Sequence, residues 1–194
     1  MRGIKVASTA AVAAAVIAMA FGAGSAAAAP TKLCEVNTSP CPAVYPGGTH
    51  FTVTGEFSIS PLTGCEYTYK FENGASSGTP LLAKVTSFTF AHCGTLYTVS
   101  AVSLNWLFEI TAIGSGNGTG EMVPGGGTTV GFEVNGNGEV GCKYTASHFP
   151  QSIAGGSLIS ASMVGLPKTA GTGCVNAVTV SMAGVSTPKF FVTN

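Results

Sequence analysis

Apolar and polar residues alternate along most of this chain. In Phe51-Thr52-Val53-Thr54-Gly55-Glu56-Phe57-Ser58-Ile59 the odd positions are apolar or glycine and the even ones polar. A period of two marks a strand with one face in a core. Pro61-Leu62-Thr63-Gly64 predicts a turn into Cys65-Glu66-Tyr67-Thr68-Tyr69-Lys70-Phe71-Glu72, which Asn73-Gly74 closes. Leu104, Trp106, Phe108 and Ile110 share a face opposite Asn105, Leu107 and Glu109, and Val130, Phe132 and Val134 repeat the pattern. Asn135-Gly136-Asn137-Gly138 is then a hairpin signal into Val140-Gly141-Cys142-Lys143-Tyr144. Stretches 82–91, 95–101, 157–164, 176–182 and 189–193 predict further strands, and no segment sustains a capped helical period. The expected fold class is all-β, with about nine to ten short strands in an antiparallel β-sandwich. Immunoglobulin-like and jelly-roll-like arrangements lead, with a closed barrel third.

Two stretches interrupt the alternation. Residues 30–48 carry Pro30, Pro40, Pro42 and Pro46, which predicts a stapled N-terminal arm (29–48) ahead of the main domain (49–194). Residues 114–127 hold seven glycines and a proline, read as a long mobile loop or a ragged hairpin end. The echo between Gly64-Cys65-Glu66-Tyr67-Thr68 and Gly141-Cys142-Lys143-Tyr144-Thr145 is compatible with pseudo-symmetric halves, and equally with inward Cys-x-Tyr simply suiting a strand.

The N-terminus sets the compartment. Arg2 and Lys5 precede an apolar run from Ala10 through Phe21, followed by small residues to Ala29. This is the pattern of a secretory signal peptide, residues 1–28, cleaved after Ala28 so that Ala26 and Ala28 occupy the −3 and −1 positions. Removing 28 of the 194 residues leaves 166, the size of one domain. No later span is apolar enough for a transmembrane helix, so the expected product is secreted, free or held on the cell wall.

Charge is scarce, at 8% of residues. Beyond the signal six lysines face eight glutamates, a net of −2, with no arginine and no aspartate. That balance disfavours nucleic acid, because no basic cluster exists to neutralise phosphates. It equally disfavours calcium loops, which draw on Asp. Six cysteines in a secreted domain imply three bridges, for which sequence alone allows 15 connectivities. Nearest-neighbour pairing is the expectation: Cys34–Cys41, Cys65–Cys93 and Cys142–Cys174.

The apparent catalytic motifs lack their contexts. Gly74-Ala75-Ser76-Ser77-Gly78 fits G-x-S-x-G, yet no helix follows and no Asp is available to a triad. Leu166-Pro167-Lys168-Thr169-Ala170 looks like a sorting signal but no apolar anchor and basic tail come after it. Gly114-Ser115-Gly116-Asn117-Gly118-Thr119-Gly120 misses the G-x-G-x-x-G spacing and predicts a flexible turn. His50, His92 and His148 share no ligand spacing, so neither a metal nor another cofactor is expected. Asn37-Thr38-Ser39 and Asn117-Gly118-Thr119 are formal glycosylation sequons. Glu56, Glu66, Glu72 and Glu133 fall opposite the apolar faces of their strands, as solvated residues do, while Glu109 shares its face with Asn105 and Leu107 beside Trp106.

Gly141-Cys142-Lys143-Tyr144, Leu166-Pro167-Lys168-Thr169 before Cys174, and the ending Pro188-Lys189-Phe190-Phe191-Val192-Thr193 together resemble short secreted, disulfide-bonded proteins of actinobacteria. The likeness spans most of residues 49–194; it implies a compact β-sandwich and carries no activity. The leading functional expectation is a non-enzymatic extracellular or envelope-associated binding or structural module. Cell-envelope polysaccharide or protein is the partner class. Two alternatives belong to other classes: a carbohydrate-active hydrolase using Glu109 with Glu56 or Glu133, and a small-molecule carrier with an apolar cleft near Trp106 and the 114–127 segment.

Overall fold

A computed structural model describes residues 28–156 and 158–194. The signal-peptide assignment therefore lies outside the described residues except at Ala28. Those residues form thirteen strands: β1 (Lys32–Cys34), β2 (His50–Ser60), β3 (Thr63–Asn73), β4 (Leu81–Ala91), β5 (Tyr97–Ala101), β6 (Trp106–Gly114), β7 (Asn117–Pro124), β8 (Val130–Gly136), β9 (Glu139–Ala146), β10 (Phe149–Ala154), β11 (Leu158–Thr172), β12 (Ala177–Thr187) and β13 (Phe191–Thr193). Every ladder between them is antiparallel.

Where the alternation predicts a sandwich, the main sheet closes on itself. Its order is β2-β3-β4-β6-β7-β10-β11-β12 and back to β2, an up-and-down barrel of eight strands. Closure rests on the short β10–β11 ladder, in which Ser152, Ile153 and Ala154 face Ser160, Ile159 and Leu158. Alternating strands and frequent turns read alike for sandwiches and barrels; only the pairing of the outermost strands separates them. The strands also bend tightly. Gly55 and Gly184 stand opposite each other on β2 and β12. A Cβ at position 55 would run into the Ala183 carbonyl, so only glycine lets the backbones approach there.

The chain leaves the barrel twice, for β5 and for the β8–β9 hairpin. These strands pair with the far half of β11 as a second sheet, β11-β9-β8-β5. β11 reaches both sheets through a register shift between Met163 and Leu166, where Gly165 adopts a φ of 71°. Phe132 of β8 packs its ring against Phe57, Phe88, Phe90, Trp106 and Phe149, which joins the second sheet to the barrel core.

Segment 114–127 is not a long loop. Ser115-Gly116 makes a tight turn, and residues 117–124 are strand β7, paired with β6 and β10. Gly120 faces inward, where a Cβ would enter the Phe108 ring; the glycine makes room for an aromatic rather than for motion. The N-terminal arm is woven in as well. β1 pairs with β13, and Leu33, Phe190 and Val192 are fully buried. Phe190 packs on Phe51 and Phe71.

The three bridges join nearest neighbours as the spacing predicts: Cys34–Cys41, Cys65–Cys93 and Cys142–Cys174. All six cysteines are used.

Candidate functional site

Inside the barrel, alternate positions supply Phe51, Val53, Phe57, Tyr67, Tyr69, Phe71, Phe88 and Phe108, all buried. Outside, the same strands present hydroxyls and charges. Thr54, Thr68 and Thr89 form one row across β2, β3 and β4. A lipid-spanning barrel has the opposite polarity, apolar outward and polar inward. No described helix is long and apolar enough to cross a membrane. The apolar space lined by Trp106, Met122, Phe132, Phe149 and Leu166 is too tightly filled to hold a water molecule. A carrier site beside Trp106 would therefore require the packed rings to separate.

A groove lies on the outer face of the barrel. The β6–β7 hairpin sets Glu109 directly opposite Glu121, and β7 sets Glu121 opposite Pro150 of β10. β10 keeps its ladder with β11 only from Ser152 to Ala154. Beyond that point Phe149–Gln151 remain with β7, and the β11 residues Ala161–Met163 remain with β12. The two strands part, and Pro150, which has no N–H to donate, stands past the ladder's end. The result is a groove of about 660 Å³ bordered by the carboxylates of Glu109 and Glu121 and the hydroxyls of Thr111, Thr119, Ser152, Ser160 and Ser162. His148 Nε2 lies 3.9 Å from Glu121 Oε1 at the surface. Like charges directly across a ladder are unfavourable, so this pair is held in place by the fold rather than by its own attraction.

The glutamate pairs anticipated for hydrolysis are not assembled. Between β6 and β2 lie β4 and β3, and Leu82, in register with Glu109, is far along β4 from Ala91, in register with Glu66. Those nine positions span roughly 30 Å of strand, so Glu109 and Glu56 cannot flank one bond. Glu133 is on the second sheet, 3.7 Å from Lys143 Nζ. Glu109 instead stands opposite Glu121, a pairing the sequence reading misses because its loop and ragged-hairpin-end alternatives for 114–127 leave no strand to carry Glu121. The turn at Ser115-Gly116 was the available signal, since it places Glu109 and Glu121 nearly equally far along the two arms.

Glu56 stands opposite Glu66, whose Oε2 is 2.9 Å from His92 Nδ1. These side chains border a second, shallower concavity of about 440 Å³. His50 is in register with Glu72. The three histidines do not converge, and the described residues contain no cluster of three or more metal-ligating side chains. The G-x-S-x-G segment is the connection between β3 and β4, where Gly78 exchanges backbone hydrogen bonds with Thr31. Leu166-Pro167-Lys168-Thr169-Ala170 is inside β11, with Leu166 buried. Of the two sequon asparagines, Asn37 donates to the Ser115 carbonyl, and Asn117 Oδ1 accepts from Gly155 N–H at 2.6 Å.

Three tyrosines carry the clearest electrostatic signature. Burial pushes the Tyr67 and Tyr69 phenols well above their ordinary range, with the neighbouring Tyr67 adding to the effect at Tyr69. Tyr144 is pushed up to about 12, first by burial and then by the charge of Glu139. An unfolded phenol ionises near 10. Above that pH the unfolded chain loses these protons while the folded chain keeps them, so stability is complete below about 10 and falls as pH rises toward the folded values. We expect a phenolate absorbance titration to show Tyr67, Tyr69 and Tyr144 ionising only as circular dichroism reports unfolding. Ionisation of all five tyrosines near 10 with the fold intact would contradict this.

Fold and groove define an antiparallel, disulfide-bridged β-barrel with a filled interior and a polar cleft on its wall. No family model, curated protein or solved structure matches the chain.

Proposed function

We propose that this protein is a secreted, non-enzymatic binding module of the cell envelope or extracellular space, and that its ligand lies in the groove between β6, β7, β10 and β11. One observation carries the reading: a concavity of about 660 Å³ edged by hydroxyls and two carboxylates, on a barrel whose interior is filled. Three bridges suit an oxidising compartment, in keeping with the signal-like N-terminus and the resemblance to actinobacterial secreted proteins. The partner class is envelope polysaccharide or protein; carboxylates and hydroxyls exchange hydrogen bonds with such ligands without needing a deep apolar pocket.

The test is retention of the oxidised mature chain on cell-wall polysaccharide and on intact envelopes. Saturable binding is expected, and Glu109→Gln with Glu121→Gln should weaken it about tenfold, two charge-assisted hydrogen bonds being reduced to neutral ones. Retention that the double variant leaves unchanged would remove the groove from the reading.

A hydrolytic reading draws on the same pair, because Cβ atoms directly across a ladder are about 5 Å apart and retaining glycosidases place their carboxyls about 5–5.5 Å apart. Release of reducing ends by the parent, abolished by either single Gln substitution, would favour it over binding alone.

A further inference from the structure

Four Asn-Gly pairs occur in this chain: Asn73-Gly74, Asn117-Gly118, Asn135-Gly136 and Asn137-Gly138. At such a pair the glycine nitrogen can attack the asparagine carboxamide, because no Cβ on the attacking residue blocks its approach. The reaction needs a carboxamide free to swing over the following nitrogen and a backbone free to follow it. Three of the pairs are locked. Asn73 is fully buried and donates to the Pro46 and Ala75 carbonyls at 2.9 and 3.1 Å, while Gly74 N–H donates to the Leu82 carbonyl. Asn117 Oδ1 accepts from Gly155 N–H at 2.6 Å, and Gly118 is in register with both Ala112 and Ile153. Asn135 Oδ1 accepts from Gly141 N–H at 2.6 Å and its Nδ2 donates to Glu133, while Gly136 is in register with both Tyr97 and Glu139.

Asn137-Gly138 is placed differently, at the tip of the β8–β9 hairpin beyond the last paired residues, Gly136 and Glu139. Both tip residues are exposed and have positive φ, 49° and 87°, as a two-residue hairpin turn requires. Asn137 Nδ2 donates to the Tyr97 hydroxyl at 3.1 Å on the surface, and among the described residues Gly138 N–H donates to no backbone carbonyl. The tip can therefore change its backbone angles without breaking the ladder. We propose that Asn137 is a site of spontaneous modification, converting to aspartate and isoaspartate through a succinimide while the fold stays intact. Gly138 N gives up its proton and bonds to Asn137 Cγ; the bond from Cγ to the carboxamide nitrogen breaks, and that nitrogen leaves as ammonia with the proton. Water then adds to either imide carbonyl and reopens the ring. Water is consumed, ammonia is released, and nothing is oxidised or reduced. The product replaces the amide donor facing Tyr97 by a carboxylate and adds a negative charge near Glu139. Isoaspartate also lengthens the main chain at a turn whose length sets the register of the two strands.

The experiment ages the folded, oxidised chain in mildly alkaline buffer and follows each Asn-Gly pair by peptide mapping. The readouts are the mass gain of amide-to-acid conversion and the separation of isoaspartyl from aspartyl peptides. Reduced chain held in denaturant is aged in parallel. In the folded chain Asn137 is expected to convert at least about tenfold faster than the other three, because each of those must first open hydrogen bonds or strand pairing. In denaturant the four rates should converge, since the dipeptide is the same. Equal folded-state rates at the four pairs, or faster conversion at Asn73, Asn117 or Asn135, overturn the proposal. Conversion of Asn137 in denaturant but not in the folded chain overturns it too. Asn137→Gln, whose extra methylene would require a six-membered ring, should remove the early acidic species that ion exchange resolves. Their persistence would place the reaction elsewhere and overturn the assignment. Should that variant fail to fold, the mapping of the parent decides by itself.

Discussion

Phe132→Ala is expected to destabilise the protein by about 3–5 kcal/mol, the usual cost of emptying a buried phenylalanine site. At this chain length the corresponding fall in Tm is about 6–20 °C. The reasoning is geometric. Phe132 is 2% exposed, and its ring is within 6.0 Å of five others, drawn from β2, β4, β6 and β10. Four barrel strands therefore lose a shared contact at once, and the second sheet is left with the β9–β11 ladder and its bridge as links to the barrel. The surrounding residues sit on hydrogen-bonded strands, which limits how far they can collapse into the space. Val140→Ala, at a residue 65% exposed on the neighbouring strand, should change stability by less than about 0.5 kcal/mol. Chemical denaturation of both variants checks the pair. A loss below about 1 kcal/mol for Phe132→Ala would mean that the second sheet does not depend on this contact.

Replacing Cys142 and Cys174 together by serine should cost about 3–4 kcal/mol, and replacing Cys34 and Cys41 about 2 kcal/mol, on loop-closure entropy. The sequence separations are 32 and 7 residues, so the first bridge removes more freedom from the unfolded chain. Structure adds a local reason. Cys142 is on β9 and Cys174 follows β11, so their bridge fastens the second sheet to the strand that bends out of the barrel. Denaturant midpoints of the two double-serine variants under non-reducing conditions make the comparison. The reverse order of stability would show that native-state effects outweigh the entropy of the unfolded chain.

The strands were legible wherever one face was apolar and the other polar. β2, β3, β8 and β9 lie within a few residues of the positions that alternation marks, and the nearest-neighbour cysteine pairing is the one the fold uses. Two strands hid behind residues that usually break strands. In β7, Gly118 and Gly120 occupy inward positions where a side chain would collide with Val192 or Phe108, so these glycines signal crowding rather than a mobile loop or a ragged hairpin end. In β10, Pro150 is tolerated because it lies beyond the end of the β10–β11 ladder, a fact that exists only once β11 is placed. The groove was lost with these strands. Glu121 and Ser152 belong to them, and Glu109 alone could not point to its partner.

By itself the sequence determined the all-β class and the inward face of the strands whose residues alternate, and it favoured nearest-neighbour cysteine pairing among the connectivities it allows. All of these follow from spacing within one or two strands. Tertiary structure alone decided that the sheet closes into a barrel, that β11 serves two sheets, and that Glu109 and Glu121 border one cleft with the serines of β10 and β11. Closure depends on whether β10 finds β11 after β7 has already been placed, and the cleft on where their short ladder ends. Such outcomes reflect the summed twist of eight strands and the fit of their side chains, to which every strand contributes and which no single segment encodes.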